Sequence, residues 1–406
     1  MKNRLTESAG FQVRALVTPV EMEAFFHLNA VVFRPDEDHD RVAELRQRFL
    51  TLDPDFQRHQ LRGAFFGDSY VGGYALLERT MCLGPARIRT ACINGVVTHP
   101  DFRHQGIAIA LMQDAIRIAE SQHYALLFLH GLRGFYQQFG YIDVLEDTPR
   151  HFLAQMPLLL PEPVPETYTV RAATLADAPA LLACYQRHYS YYLGSFAPTR
   201  TLQRQEHLLR NWFEDSDNKC LIAVNTAQEL HGYLMFSCRR QQLYVYEAAT
   251  DNWPATLALL HAHAHLLDAE VEADFPQELW WPLPPTDQTF YFLSEHVPVR
   301  SELLSIPNGG WMARPAHLAT LLQSLYPLWQ EYWQGRSRLV DWSGVLALTI
   351  DAHSSLLEVT PTSINSIAMP SAPLQHVIFS SQVFTQLIFG FRPGSWALLQ
   401  PGQYIP

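Results

Sequence analysis

The stretch Ile93-Asn-Gly-Val-Val-Thr-His-Pro-Asp-Phe-Arg-His-Gln-Gly-Ile-Ala-Ile-Ala-Leu-Met112 does most to limit what this chain can fold into. Ile93 to Thr98 reads as a strand, Pro100 ends it, and the loop Asp101 to Gln105 leads into Gly106. Beyond Gly106, the residues Ile107, Leu111, Ala115 and Ile118 recur on one helical face. A strand that turns directly into a helix leaves the first backbone N–H groups of that helix without internal acceptors. The aligned peptide dipoles add about 0.3–1 kcal/mol in favour of an anion at that end, so such a turn suits a pyrophosphate. Gly106 leaves room for the phosphates and can take positive φ, Ala108 is small enough for close approach, and Arg103 adds charge nearby.

The rest of the chain divides into three blocks. At 406 residues it exceeds one ordinary core and predicts two to four domains. Four prolines between Met156 and Pro165 mark a linker with an extended path. The boundaries are 1–156, 157–297 and 298–406. The first two blocks open alike, since Phe11-Gln-Val-Arg-Ala lays over Tyr168-Thr-Val-Arg-Ala and each precedes a helical pattern. Each then shows a hairpin-like pair: Gly63 to Gly67 with Tyr70 to Glu78, and Lys219 to Asn225 with Leu230 to Ser237. A duplicated unit follows from that order. The third block has helices over His317 to Trp333 and Ser380 to Phe389, and strands over Gly344 to Asp351 and Ser355 to Thr360, an α+β pattern. Thr289 to Leu293 is strand-like.

Composition removes several classes of function. The net charge is −11, from 29 basic and 40 acidic residues, which argues against a general nucleic-acid binder. No apolar run reaches the roughly 18 residues of a membrane span. Met1 to Gly10 is polar and lacks the apolar core of a signal peptide. Cys82, Cys92, Cys184, Cys220 and Cys238 form no C-x-x-C pair, which reads as thiols in a reducing compartment and predicts a cytoplasmic protein. His261 and His265 stand one helical turn apart, but no Glu lies between them in the H-E-x-x-H manner and no third ligand is evident, so no metal is expected.

Arg103-x-x-Gly106-x-Ala108 after a Val-Val strand is followed by a helix, a strand from Tyr124 to His130, and Gly134-Phe-Tyr-Gln-Gln-Phe-Gly-Tyr141. That series resembles the GNAT acetyltransferases, whose signature pairs an acyl-CoA pyrophosphate turn with a short tyrosine-bearing helix. Over nearly the whole chain, the order of blocks resembles the Eis-type members. The resemblance implies an α/β (α+β) fold: two tandem GNAT-like mixed sheets flanked by helices, plus a sterol-carrier-like α+β domain. It implies a catalytic first block, a degenerate second block and a structural third block. Where the second block should carry its turn it has Tyr246-Glu-Ala-Ala-Thr-Asp-Asn-Trp-Pro-Ala-Thr256, so no CoA is expected there.

The implied activity is direct transfer of acetyl from acetyl-CoA to a primary amine, with an aminoglycoside-, polyamine- or lysine-like acceptor. The rival reading is a non-catalytic acyl-CoA-binding module. By resemblance, Val96, Val97 and Thr98 face the pantetheine arm and the acetyl carbonyl. Arg103, His104, Gln105, Gly106, Ile107, Ala108 and Ile109 surround the pyrophosphate, and Gly131 and Leu132 complete the cofactor-binding set. Tyr136 is the implied general acid, since a tyrosine of reference pKa near 10 stays protonated at pH 7. The implied base is the C-terminal carboxylate, here of Pro406, although the family's usual aromatic tail is absent; His130 is the substitute. Phe25, Phe26 and Phe33 are candidates for an acceptor wall, and Asp36, Glu37, Asp38 and Asp40 for attracting a polyamine. The resemblance also implies a homo-oligomer with no nucleic-acid or membrane partner.

Overall fold

The computed structural model describes residues 10–51, 56–132, 134–145, 150–154, 167–190, 192–239, 242–270, 278–281, 294–296, 298–302, 310–335, 343–370, 372–390 and 400. The linker around Met156–Pro165, the strand expected at Thr289–Leu293 and the C-terminal Pro406 lie outside the described residues. The chain forms two compact units: Met1–Leu145 with Tyr192–Ser195 and Pro307–Pro406, and Glu146–Tyr191 with Phe196–Ile306.

The first unit begins with β1 (Phe11–Ala15), α1 (Pro19–Phe33), α2 (His39–Thr51), β2 (Leu61–Phe66), β3 (Ser69–Leu83), β4 (Ala86–Thr98), α3 (Ile107–Ser121), β5 (Leu126–His130) and β6 (Ile142–Leu145). The second contains β7 (Arg150–Ala154), β8 (Tyr168–Ala172), α4 (Ala178–Tyr189), α5 (Leu202–Phe213), β9 (Asn218–Asn225), β10 (Leu230–Arg239), β11 (Gln242–Thr250), α6 (Trp253–Glu270), β12 (Glu278–Trp281) and β13 (Val299–Glu302). The chain then returns to the first unit with β14 (Trp311–Pro315), α7 (Leu318–Gly335), β15 (Gly344–Ile350), β16 (His353–Thr360), β17 (Ser363–Ile367), β18 (Leu374–Phe379) and α8 (Ser381–Ile388).

The two large sheets share one plan. Their orders are β1-β2-β3-β4-β5-β14-β6 and β8-β9-β10-β11-β12-β7-β13. Pairing is antiparallel at every step except β4–β5 and β11–β12, which are parallel. The similar openings also fold alike. Arg14 on β1 pairs with Glu21 at 2.6 Å, Glu21 accepts from Thr18 N–H, and Thr18 Oγ1 caps α1. Arg171 on β8 pairs with Asp177 at 2.7 Å, and Asp177 accepts from Thr174 N–H. Each arginine also donates to the carbonyl of the next residue.

Two strands depart from the block boundaries expected above. Arg150–Ala154 follows β6 in the chain but pairs with β12 and β13 in the second sheet. Trp311–Pro315 follows β13 but inserts between β5 and β6 in the first. Both are five-residue segments whose partners lie far away in sequence, so local pattern could not assign them to a sheet. The remaining C-terminal strands form a separate sheet, β17-β16-β15-β18, with β15 and β18 parallel. Ser380 caps α8 by accepting from Val383 N–H, as its position predicts.

The first sheet is packed on both faces. Ala64, Tyr74, Leu76, Ala91, Ile93, Leu127 and Leu129 meet α3 on one side. Leu61, Phe65 and Ala75 meet Phe25, Phe26 and Ala30 of α1 on the other. Asp114 of α3 is buried and receives a forked pair from Arg62 of β2 (2.8 and 3.1 Å), the Tyr74 hydroxyl (2.9 Å) and Arg117. These bonds fix where the helix start lies over the sheet, because charge-assisted forked contacts tolerate little misalignment.

In the second unit His263 of α6 is fully buried edge-on to Phe236, and neither ring nitrogen has a partner among the described residues. Burial alone pushes its pKa down to about 4 from 6.5. The unfolded chain gains this proton below about pH 6.5, the folded chain only below about 4. Stability is therefore undiminished above 6.5 and falls as pH drops from 6.5 to 4, by about 3 kcal/mol in all. His263→Leu should remove that loss, which urea unfolding at pH 7 and pH 4.5 would read. An unchanged difference between the two pH values would refute it. Glu21 and Asp177, held at about 2 by their arginines, act in a lower window.

Candidate active site

The site grows from a fault in the ladder between β3 and β4. Gly73 pairs with Val97 and Ala75 with Asn94, so β4 carries one extra residue, a bulge at Gly95 and Val96. Gly95 sits at φ +64°, and an ideal Cβ there would stand 2.6 Å from Asn29 Oδ1, so both backbone and space require glycine. On its other edge β4 pairs with β5 only from Thr90–Leu126 to Cys92–Phe128. Past that point no ladder among the described residues joins the two strands. The Ile93–Thr98 edge facing β5 thus offers backbone donors and acceptors to an extended ligand. Val96, Val97 and Thr98 all lie on this segment, with Val97 buried.

The strand then enters the expected turn. Pro100–Phe102 makes one short 3-10 turn capped by the His99 ring, and Gln105 Nε2 donates to the Asp101 carbonyl. Gly106 is the N-cap of α3 at φ +83°, with open space where a Cβ would be. Among the described residues no side chain caps the helix, and its first turn holds no acid. The first intrahelical bond is Ala110 N–H to the Gly106 carbonyl. The N–H groups of Gly106, Ile107, Ala108 and Ile109 therefore await acceptors. Arg103, His104 and Gln105 are exposed beside them, with His104 also at positive φ (64°). Positive φ at Gly106 was expected; that at His104 was not.

Tyr136 opens a second 3-10 turn, Tyr136–Phe139. It is 9% exposed and packs with Leu127, Leu129 and Tyr141 on the α3 face of β5. Phe135 contacts it edge-on at 5.0 Å. Its hydroxyl makes no hydrogen bond among the described residues, and burial raises its pKa above 10.0. A Cβ on Gly131 would collide with the Tyr136 ring. Gly131 N–H donates to the Gly310 carbonyl, tying this corner to β14, while Leu132 is exposed. Gly131→Ala should displace the ring and lower turnover about 100-fold, with a much smaller loss of CoA affinity. Steady-state rates and calorimetry would check this, and equal losses in both would refute it.

The remaining candidates fall elsewhere. His130 is exposed and leaves β5 on the face opposite Tyr136, edge-on to Trp311 at 4.9 Å. Phe25 and Phe26 are core residues, each 3% exposed, while Phe33 is exposed under the Arg46 guanidinium. Asp38 caps α2 through Asp40 and Arg41 N–H, and Glu37 lies 3.4 Å from Arg34. The Asp114 anchor and the Gly95 bulge escaped the sequence reading; the one available signal was a glycine inside a strand pattern.

The corresponding turn of the second unit is built differently. Asn252 Oδ1 accepts from Ala255 N–H at 3.0 Å, and Pro254 has no N–H to offer. Cys82, Cys184 and Cys220 are buried thiols, and burial pushes the Cys184 thiol up to about 12. Among the described residues, no group of three or more His, Cys, Asp or Glu side chains could hold a metal ion. Nor is any helix long and apolar enough to cross a membrane.

Bulge, free edge, uncapped turn and buried tyrosine all lie within the segment that matches a known family. Residues 13–142 match the acetyltransferase (GNAT) domain. Solved structures share the fold over almost the full length. A GCN5-related N-acetyltransferase from Anabaena variabilis is 14% identical with a TM-score of 0.72, covering 98% of this chain and 94% of that one. A conserved protein of Enterococcus faecalis is 16% identical at 0.71, covering 97% and 93%. Eis1 from Mycobacterium abscessus is 16% identical at 0.62, covering 97% and 94%. No curated protein sequence matches the chain.

Proposed function

We propose that the first unit is an acetyl-CoA-dependent N-acetyltransferase that passes acetyl directly to a primary amine. One observation carries the reading: the free edge of β4 leads, through the short turn at Pro100–Phe102, to the uncapped start of α3. An extended arm can lie along the first while a pyrophosphate meets the second. Hydrogen bonds from N–H groups to charged oxygens contribute about 1.5–3 kcal/mol each, enough for several to dominate binding.

Acetyl-CoA supplies the activated thioester; the chain supplies alignment and a proton. The Val96 and Val97 backbone holds the carbonyl beside the bulge. As the new C–N bond forms and the C–S bond breaks, the amine loses one proton and the sulfur gains one. Tyr136 donates to the sulfur, which its raised pKa permits across the neutral range. The amine's proton leaves to a base, for which we propose the Pro406 carboxylate, with His130 as the alternative. An ammonium of reference pKa about 10.4 is neutral in roughly one molecule in 2,500 at pH 7, so a less polar acceptor side that lowers that pKa also aids the reaction.

We assign Val96, Val97, Thr98, Arg103–Ile109, Gly131 and Leu132 to the acetyl-CoA side. The second unit is proposed as a degenerate copy without a CoA site, supported by the Asn252 cap. The C-terminal sheet is proposed as the sterol-carrier-like part, and the protein as a cytoplasmic homo-oligomer of Eis type. Thiol release from acetyl-CoA against a panel of primary amines tests the activity. Amine-dependent release supports it; CoA binding without release for any amine would favour a binding module.

A further inference from the structure

We propose that Trp311 sets the acceptor class of this site, and that the acceptor is a monoamine borne on a flat aromatic body rather than a polycation. The inference rests on the acetyltransferase reading above and adds the substrate class to it.

Side chains alternate along a strand. Ala91 and Ile93 of β4 and Leu127 and Leu129 of β5 pack on the α3 face. Cys92, Asn94, Phe128 and His130 therefore face the α1 side, where the two strands part. β14 adds Trp311 directly opposite His130. The indole stacks on Phe128 at 5.3 Å and 11°, and His130 meets it edge-on. Its N–H makes no hydrogen bond among the described residues. From α1, Asn29 reaches the bulge. It is 3% exposed, its Nδ2 donates to the Phe25 carbonyl at 2.9 Å, and its Oδ1 faces Gly95 with no donor among the described residues.

This face offers ring surfaces and uncharged oxygens. Apart from the terminal carboxylate proposed above as the base, no carboxylate occurs in Arg89–Thr98, in β5 or in β14, nor in the sequence 391–406. Of the acids expected to draw a polyamine, Asp38 sits on the α2 cap and Glu37 beside Arg34, while Asp36 and Asp40 are exposed to water. A second or third ammonium brought to the ring surfaces would lose water without gaining a counter-charge. A single ammonium next to an indole is stabilised by the ring quadrupole, and the flat body behind it can stack. The Asn29 oxygen can then accept one N–H of the amine and direct its lone pair toward the carbonyl held at Val96 and Val97.

The test uses the full-length chain saturated with acetyl-CoA, with 2-phenylethylamine and spermidine as probes. Phenylethylamine is expected to show a kcat/KM about tenfold or more above that of spermidine. Trp311→Ala is expected to raise its KM about tenfold with the acetyl-CoA KM unchanged, and Trp311→Phe, which keeps a ring and guards against misfolding, to retain most of the preference. Preference for spermidine, or equal effects of both variants on the two KM values, would overturn the inference. Calorimetry with CoA alone separates the two readings. CoA binding without use or binding of phenylethylamine overturns this inference only, whereas no CoA binding overturns the acetyltransferase reading with it.

Discussion

Tyr136→Phe is expected to lower kcat about 100- to 10,000-fold while CoA affinity and the thermal midpoint stay close to wild type. The ring is held by Phe135, Tyr141 and the surface of Gly131, all of which phenylalanine keeps. The hydroxyl has no hydrogen-bond partner among the described residues, so removing it breaks no bond of the folded state and leaves no partner stranded. What disappears is the proton for the departing sulfur. A thiolate is a poor leaving group without one, and the penalty falls on the chemical step alone. The pH profile gives a second readout. Burial raises the Tyr136 pKa above 10.0, so wild-type activity should persist on the alkaline side until the phenol ionises beyond that value. The residual activity of Tyr136→Phe should lack that limb. Unchanged turnover would remove Tyr136 from its role, and a parallel fall in CoA affinity would make it a wall of the cofactor site.

How much of this was legible in the sequence depends on the range over which each feature is written. The Gly106 turn is local: proline stops the strand, glycine supplies the left-handed residue, and apolar residues at helical spacing follow at once. The tyrosine turn is equally compact, with Gly134 and Gly140 around Tyr136–Phe139. The duplication was readable because Val-Arg-Ala recurs, and both arginines proved to make the same contacts. Features whose partners lie far away were not readable. Asp114 looks like any acid on a helix, and its partners Arg62 and Tyr74 are 52 and 40 residues away. Trp311 lies 181 positions after His130, the residue it faces, since 311 − 130 = 181. A five-residue strand carries no label for its sheet, so the C-terminal contribution to the first sheet emerged only from hydrogen-bond register. The acidic run shows a local role that composition hides, for Asp38 accepts from the Asp40 and Arg41 N–H groups at the start of α2.

Gly106→Trp is expected to abolish CoA binding, weakening it about 100-fold or more, in a protein that still folds. Folding should survive because nothing lies within 4 Å of the position a Cβ would take. The cost is the left-handed backbone at φ +83°, about 1–2 kcal/mol for a residue with a side chain, which shifts the midpoint by a few degrees in a unit of this size. Binding should fail because the same open space lies in front of the Gly106–Ile109 N–H groups. An indole there denies a pyrophosphate at least two of them, and two charge-assisted hydrogen bonds at about 1.5–3 kcal/mol each account for a factor of 100 or more. Gly106→Ala separates the causes: it bears the same backbone strain but fills little space, so its affinity should fall far less. The stoichiometry adds a test of the second unit. Wild type should bind one CoA per chain and Gly106→Trp none, because Asn252 and Pro254 leave the second turn without the donors that Gly106 exposes. If Gly106→Trp retained one CoA per chain at wild-type affinity, the ligand would have to be held elsewhere, and the uncapped helix start would lose its place in the argument.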